Sequence, residues 1–303
     1  MVMARCPPAS VWDDHAARRC DLSGTQARLQ RIAPPKRLHI MASNVTEVKI
    51  EIQWIYTPVS FFEEKIVWER ANYIIEMTEG LIIAQMDAAF FDAKPEITEL
   101  LRQELNFYFL GAQVFQRQPF QVSGGSFDRV WPDGRRESTL AVQSAEMIMT
   151  ADSPDLSTTD EQGVIHDTRR DRIEAKKELG ELSARHCVTD PTARRILDSF
   201  DASIRYPGNE LIYLYEVWEA VQTKFRGERK ARRALGLSRI DRSMLTNLAD
   251  REPINQGRHR GKFAGRLRNA TSAELDEARR IARDIIKLYL AYLDKQQGDI
   301  AGR

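Results

Sequence analysis

An alternation of apolar and polar residues is the first clear pattern along the chain. From Val48 to Tyr56 most of the alternate positions are apolar or aromatic, with Lys, Glu and Gln between them. This period of two is typical of a β-strand with one face on a core and one in solvent. Two further β-rich runs, at 72–77 and 81–86, flank Thr78-Glu79-Gly80 and predict a hairpin.

The next segments combine one helix with more strands. Pro95 precedes apolar residues at three- and four-residue spacings, which predict a helix. Strands are expected at 114–122 and 127–131. The turn Pro132-Asp-Gly-Arg135 leads into a returning strand at 139–149, because proline presets φ and glycine accepts positive φ.

This β-rich block lacks the motifs of several enzyme classes. It has no phosphate-binding glycine loop after a strand, no HExxH and no nucleophile elbow. We interpret Ser123-Gly-Gly-Ser126 as a β-bulge or hinge and not as a phosphate cradle. Five or six strands and one helix predict a small α+β or sandwich domain over residues 41–150, mostly antiparallel.

Helical patterns replace the strands beyond residue 150. Residues 151–163 are polar and acidic and predict a linker. Residues 164–303 predict an all-α bundle, so the fold class is α+β with the strands first. Its helices are expected at 164–187, 191–206, 210–225, 238–249 and 272–295.

Capping residues support these boundaries. Asp190-Pro191 places an N-cap before a proline at the first helical position. Pro207-Gly208 ends that helix, and Asn209 is expected to cap the next. Thr271-Ser-Ala-Glu274 forms a capping box before the last helix. The 210–225 helix has the most continuous apolar stripe, so we expect it at the centre of the bundle.

Composition places the chain among globular proteins without a membrane span. Its 303 residues suffice for two ordinary domains, and no apolar run reaches about 18 residues. Three cysteines without CxxC spacing and five dispersed histidines indicate neither disulfides nor a metal site. We therefore expect a cytoplasmic protein without a metal or cofactor.

Residues 1–40 differ from the rest of the chain. They contain two Pro-Pro pairs and several arginines but no sustained periodicity. Without an apolar h-region they do not match a secretory signal. We expect a disordered leader, or a chain whose translation starts at Met41.

Positive charge is concentrated in one segment, although the whole chain has a net charge of only +1. Residues 224–268, the basic segment, contain fourteen Lys and Arg but four Asp and Glu. A cationic block in an otherwise acidic chain indicates a local anionic partner such as nucleic acid. An alternative of equal weight is a solvated helical face without a ligand.

The candidate for chemistry lies in this segment, at Asn255-Gln-Gly-Arg-His-Arg-Gly261. A histidine titrates near neutral pH and can transfer protons. Guanidinium groups can bind phosphate and stabilise a pentacovalent transition state, and glycines let the backbone approach a ligand. The combination suits metal-independent cleavage of RNA by its 2′-hydroxyl. The alternative is a cationic loop whose arginines cap helices or bind acidic groups.

Three features of the last hundred residues carry a family resemblance. Asn209-Glu-Leu-Ile-Tyr-Leu-Tyr215 opens a core helix, a polar Arg/Asn…His segment follows, and a helix rich in Ala, Ile, Leu and Tyr closes the bundle. Together they resemble the HEPN superfamily. In its catalytic members an arginine is followed by a polar residue, and four to six residues in total separate the arginine from a histidine. Here seven residues separate Arg251 from His259, Arg258 is adjacent to it, and the stretch from Asn255 to His259 has the right character but begins with asparagine.

The resemblance implies a metal-independent ribonuclease of a bacterial toxin, stress or phage-defence system that works as a homodimer. His259 would be the acid and base. Arg251 or Arg258 would bind the scissile phosphate, and Asn255 would orient it. Six further cations of the basic segment are candidate nucleic-acid contacts: Arg260, Lys262, Arg266, Arg268, Arg232 and Arg233.

Three functions are compatible with these patterns. The first is RNA binding with cleavage, in which the β-rich domain senses a trigger or recognises a protein partner. The second is a non-catalytic scaffold whose bundle dimerises and whose basic loop docks an acidic partner. The third is duplex DNA binding through residues 224–242, which predicts a steep salt dependence.

Overall fold

The computed structural model describes residues 48–139, 157–159, 165–263 and 265–301. Within these ranges an antiparallel sheet is followed by a helical region, so the predicted α+β class is confirmed. The predicted leader, the proposed start at Met41 and residues 140–149 of a predicted strand lie outside the described residues. Among the described helices, none combines the length and the apolar composition that a membrane crossing requires.

The sheet has six strands in the order β2-β3-β4-β1-β5-β6. Their bounds are β1 (Lys49–Thr57), β2 (Ile66–Glu69), β3 (Tyr73–Thr78), β4 (Leu81–Asp87), β5 (Gln121–Val130) and β6 (Arg136–Thr139). The predicted alternation in β1 is confirmed, because Ile50, Ile52 and Trp54 are fully buried on one face. The hairpin predicted between residues 72 and 86 is confirmed as β3 and β4.

The two adjacent glycines of β5 form a bulge, as predicted. Gln53 of β1 lies opposite Ser126 and Trp54 lies opposite Gly124, so Gly125 is the extra residue. Both glycines have positive φ, a conformation that L side chains rarely adopt. The bulge therefore depends on glycine at these positions.

The strand expected at 114–122 is wrong. A short helix α1 (Ala88–Asp92) follows β4, and α2 (Ile97–Gln113) then occupies the segment before this stretch. Val114 and Phe120 are buried, but in the connection from α2 to the sheet. Burial of a connection gives the same apolar run as a strand, and periodicity does not distinguish them.

A two-stranded hairpin and six helices follow. The strands are β7 (Ser157–Thr159) and β8 (Ile165–Asp167), and the helices are α3 (Thr168–His186), α4 (Pro191–Arg205), α5 (Glu210–Lys224), α6 (Glu228–Leu235), α7 (Arg239–Thr246) and α8 (Ser272–Ala301). Helix α6 was not predicted, because it buries only Ala231 and Leu235 among its charges. Strand β7 lies inside the expected linker, 151–163, and the division into domains stays a prediction.

Two predicted helix caps are confirmed by hydrogen bonds. Asp190 Oδ1 accepts from two backbone N–H groups of α4 at 2.9 and 2.8 Å. Thr271 and Glu274 form a reciprocal capping box, with N···O distances of 2.8 and 3.2 Å. Asn209 precedes α5, but its side chain makes no capping hydrogen bond. It binds Arg260 instead, which matters for the site below.

Helix α2 joins the sheet to the helical region. Its Phe109 ring lies 5.3 Å from the Tyr56 ring of β1. At its crossing with α3, a Cβ added to Gly180 would lie 2.6 Å from the Tyr108 ring, and a Cβ on Gly111 would collide with Ser183. The two helices therefore approach so closely that each needs a glycine at the contact.

Helix α5 lies at the centre of the helical region, as predicted. Leu211, Leu214 and Trp218 are almost completely buried, and the helix packs on α4 and α8. At its N-terminus the buried carboxylate of Glu210 accepts two hydrogen bonds from Arg279 of α8, one of them 2.7 Å long. This pair fixes the end of α5 near which the basic segment docks.

Candidate functional site

The histidine predicted as the catalyst pairs with an aspartate. His259 Nε2 lies 2.9 Å from Asp250 Oδ1, and the imidazole side chain is 49% exposed. A carboxylate beside one ring nitrogen orients the imidazole. With Nε2 beside the Asp250 carboxylate, Nδ1 is the nitrogen left to act on a substrate. The pair therefore has the parts of a general acid–base.

Asp250 was missed by the sequence analysis because it belongs to an irregular helix end. Residues Asn247–Arg251 form a π-helical turn after α7. Such turns change the direction of the side chains relative to an α-helix and occur frequently at functional sites. The backbone N–H of Arg258 donates to the carbonyl oxygen of Ala249 at 2.8 Å, which holds the loop against this turn. That contact brings His259 to Asp250.

Arg258 is held by helix α5. Its Nη1 donates to Glu219 Oε1 at 2.8 Å, and its guanidinium carbon lies 5.2 Å from the centroid of the Tyr215 ring. The hydrogen bond to Glu219 raises the pKa of Arg258. Burial, and then the carboxylates of Glu219 and Asp250, raise the pKa of Tyr215. The phenol therefore stays protonated at neutral pH and can donate a hydrogen bond.

These contacts define the site cluster: Tyr215, Glu219, Asp250, Arg258 and His259. Two of the four predicted catalytic residues belong to it. Tyr215 was expected in the apolar stripe of α5, but it is only half-buried and covered by Arg258. Tyr215 and Glu219 lie one turn apart on α5, and tertiary contact alone brings the loop to them.

The basic loop, residues 255–268, is fastened at two more points. Arg260 Nη2 donates to the carbonyl oxygen of Gly208 at 2.7 Å, and also binds the Asn209 side chain. Arg268 forms a two-point ion pair with Glu274 at 2.6 and 2.7 Å, which raises the pKa of Arg268. Like Arg258, both side chains must leave protein partners before they can bind a phosphate in this geometry.

The other predicted residues of this region are more exposed. Asn255 Nδ2 donates to Asn269 Oδ1 at 2.7 Å, so its amide is directed to that residue and not to His259. Arg251 and Arg266 are exposed, and neither guanidinium is ion-paired with a residue of the described ranges. Lys262 is also exposed. Arg251 directly follows Asp250 in the chain, as Arg258 directly precedes His259, and of these two exposed arginines Arg258 has an ion-pair partner.

Helix α6 presents cations of a different kind. Arg229, Lys230 and Arg233 are exposed and form no ion pair with any residue that the structure describes. Arg232 is half-buried, and its Nε is buried without a hydrogen-bond partner among those residues. Of the two α6 arginines predicted as nucleic-acid contacts, Arg233 is thus the more accessible.

Arg242 of α7 connects helix α6 to the site cluster. Its Nη2 lies 2.9 Å from a carboxylate oxygen of Glu228, in the first turn of α6. Burial is the main cause of the raised pKa of Tyr215, and Arg258 and Arg242 oppose that rise. Arg242 thus pairs with the start of α6 and acts on the Tyr215 phenol only through its charge.

The fold and the site together define an α+β protein with an exposed histidine–carboxylate pair beside an arginine-rich surface. No protein-family model, curated protein or solved structure matches the chain. The HEPN resemblance and the ribonuclease activity that it implies stay predictions.

Proposed function

We propose that the protein binds single-stranded RNA and cleaves it without a metal ion at His259. The single observation that carries this proposal is the exposed His259 imidazole, held at 2.9 Å by Asp250. An imidazole positioned in this way is the commonest acid–base group in enzymes. The surrounding cations supply the attraction for a phosphate backbone.

The chemistry proceeds by transfer of the phosphoryl group within the RNA. Nδ1 of His259 takes the proton of a 2′-hydroxyl, whose oxygen attacks the neighbouring phosphorus while Asp250 stabilises the imidazolium. The 5′-oxygen of the next nucleotide leaves and receives the proton from the imidazolium. The products are a 2′,3′-cyclic phosphate and a free 5′-hydroxyl, so atoms and charge balance without a further reactant.

We assign the stabilisation of the developing negative charge to Arg251. It is exposed, lies next to Asp250 in the chain, and would not have to break an ion pair with a described residue. Arg258 has a positioning role in this scheme, because it is bound to Glu219 and packs on Tyr215. The resemblance left Arg251 and Arg258 open for the scissile phosphate, and this proposal chooses Arg251.

Helix α6 is the surface that we assign to the RNA backbone. Its exposed Arg229, Lys230 and Arg233 can each contact a phosphate without losing a protein partner within the described chain. The same cations could attract an acidic protein, which is the scaffold function without catalysis. For that function, α6 is a better docking surface than the basic loop, because most arginines of the loop are bonded to protein groups.

Cleavage of labelled single-stranded RNA in EDTA tests the proposal. We expect His259→Ala to lower the rate by about 10²- to 10⁴-fold, the usual contribution of an acid–base group. Asp250→Asn should lower it as well, because the imidazole loses its orienting carboxylate. Replacing the 2′-hydroxyl of the scissile nucleotide with hydrogen should abolish cleavage, and the product ends should be cyclic phosphate and 5′-hydroxyl.

The chain provides a matched control for the aspartate. His186 Nε2 lies 3.3 Å from Asp294, but this imidazole is only 2% exposed and no substrate can reach it. Asp294→Asn should therefore leave cleavage unchanged. The ribonuclease proposal fails if the wild type leaves RNA intact at high protein concentration, or if His259→Ala cleaves at the wild-type rate.

A further inference from the structure

We propose that the groove between α4 and α5 binds one unpaired nucleotide, whose base stacks on Tyr206 and Tyr213. This inference rests on the proposed function, because it identifies the RNA as single-stranded at this position. The groove has a volume of about 420 Å³ and includes Arg194, Arg195, Asp198, Ser199, Tyr213 and Glu216 in its walls. Tyr206 lies outside these walls, next to the Tyr213 ring.

The aromatic pair is the first argument. Tyr206 is 57% exposed, so a large part of its ring is open to solvent. Its ring centroid lies 6.0 Å from that of Tyr213, with the planes tilted by 43°. Stacking of a base on an aromatic side chain contributes about 1–3 kcal/mol and tolerates any base. The pair therefore offers an open surface for a flat, aromatic ligand.

The polar groups of the groove fit the rest of a nucleotide. Arg194 and Arg195 are exposed, and within the described ranges neither guanidinium forms an ion pair. The Arg194 guanidinium packs 5.0 Å from the Phe107 ring, which holds its stem in place. These cations suit a phosphate. Ser199 is buried and its hydroxyl donates to Glu216 Oε2 at 3.4 Å, so the exposed side-chain acceptor in the groove is the Asp198 carboxylate, which can accept from the amino group of a base.

The groove is connected to the site cluster through the turn before α5. Tyr206 begins the turn, and its following residues Gly208 and Asn209 bind Arg260. Arg260 directly follows His259 in the basic loop. Arg260 therefore joins the turn that begins at Tyr206 to the loop that contains the imidazole. In duplex RNA the bases are stacked within the helix, so only an unpaired nucleotide could enter.

Binding of a short labelled oligoadenylate with 2′-O-methyl groups tests this site apart from cleavage. We expect Tyr206→Leu to weaken the binding of this single strand by about 5- to 100-fold in fluorescence anisotropy, the equivalent of one lost stack. Tyr206→Phe keeps the ring and should bind like the wild type. A duplex of matched length is the control, and its affinity should be the same for all three proteins.

Each outcome decides between the two proposals. If Tyr206→Leu binds the single strand as tightly as the wild type, the stacking site is wrong, whatever the cleavage assay gives. If Tyr206→Leu binds weakly but the wild type does not cut unmodified RNA, the nucleotide site stands and the ribonuclease proposal fails. A wild type that binds neither RNA overturns both.

Discussion

The basic loop and helix α6 contain the same kind of charge in very different environments. In the loop, the three arginines with protein partners are Arg258, Arg260 and Arg268. On α6, three exposed cations have no ionic partner within the described chain: Arg229, Lys230 and Arg233. A count of charges finds both regions, but only the pairing decides which cations can bind an external anion at little cost.

The difference follows from how each segment is held. Most of the basic loop has no regular secondary structure, so side-chain bonds must offset the entropy lost when its backbone is ordered. Helix α6 has its own backbone hydrogen bonds, and its buried Ala231 and Leu235 fix it to the core. Its cations are not needed for folding. The arginines that hold the basic loop in place are therefore different residues from the α6 cations that can bind a ligand.

The strongest test of the comparison is the salt dependence of RNA binding. We expect the triple variant Arg229→Ala, Lys230→Ala and Arg233→Ala to bind single-stranded RNA more than tenfold more weakly at low salt. The slope of log affinity against log salt should become shallower by about 2, since each phosphate contact contributes about 0.7 on single strands. Anisotropy titrations over a range of salt concentrations measure both quantities.

A triple variant of equal charge is the control for this titration. It replaces three exposed cations outside the basic segment: Arg170, Lys177 and Lys295. Its salt slope should stay close to that of the wild type. Equal slopes for the two triple variants would mean that α6 is not the RNA-binding surface and that net charge alone governs binding.

A smaller effect should appear in stability. Arg258→Ala removes the Glu219 ion pair and the contact with the Tyr215 ring, so we expect the free energy of unfolding to fall by about 1 kcal/mol. Arg233→Ala should change it by less than about 0.5 kcal/mol, as for an ordinary surface residue. Urea unfolding followed by circular dichroism measures both. Equal stability of the two variants would contradict the difference between the loop arginines and the α6 cations.

The smallest expected effect is the acid sensitivity of the capping box. The hydrogen bond from Arg268, aided by Thr271, lowers the pKa of Glu274 from 4.5 to about 2. The folded state thus binds this proton less tightly than the unfolded state, so the stabilisation is complete above pH 4.5 and is lost as the pH falls through 2.

Unfolding measurements at a series of pH values check this effect. Between pH 5 and pH 2 the wild type should lose up to about 1 kcal/mol more than Glu274→Gln, since the pair is at the surface. Glu178→Gln, which changes an exposed carboxyl on α3, should follow the wild type. A Glu274→Gln variant with the same acid sensitivity as the wild type would exclude a role for the cap in this loss.

The sequence was sufficient where structure depends on neighbouring residues. Alternation identified β1, the caps at Asp190 and Thr271 marked helix starts, and the paired glycines indicated the bulge in β5. It failed at α6, whose amphipathic pattern rests on two apolar residues, and at 114–122, where a buried connection has the composition of a strand. In both places the local pattern does not determine the conformation.

Only the histidine and the positive charge of the site could be predicted from the sequence. His259 stands out in the sequence, whereas Asp250 belongs to a π-turn whose side-chain directions do not follow helical periodicity. Tyr215 and Glu219 reach the loop only through tertiary packing, and nothing near them in the sequence indicates Arg258 as their partner. Nothing in the sequence indicates that the Tyr206 ring is exposed, because a tyrosine at a helix end can also be part of a core.

The crossing at Gly111 and Gly180 has a consequence for protein engineering. A break in the chain between α2 and α3 would leave each half with a bare helical face that only the other half can cover. The halves would also match in shape, since Ser183 packs against Gly111 and Tyr108 packs against Gly180. Expressed separately, they should recognise each other and reassemble. The contact is therefore suited to a split reporter, in which two fused partners bring the fragments together.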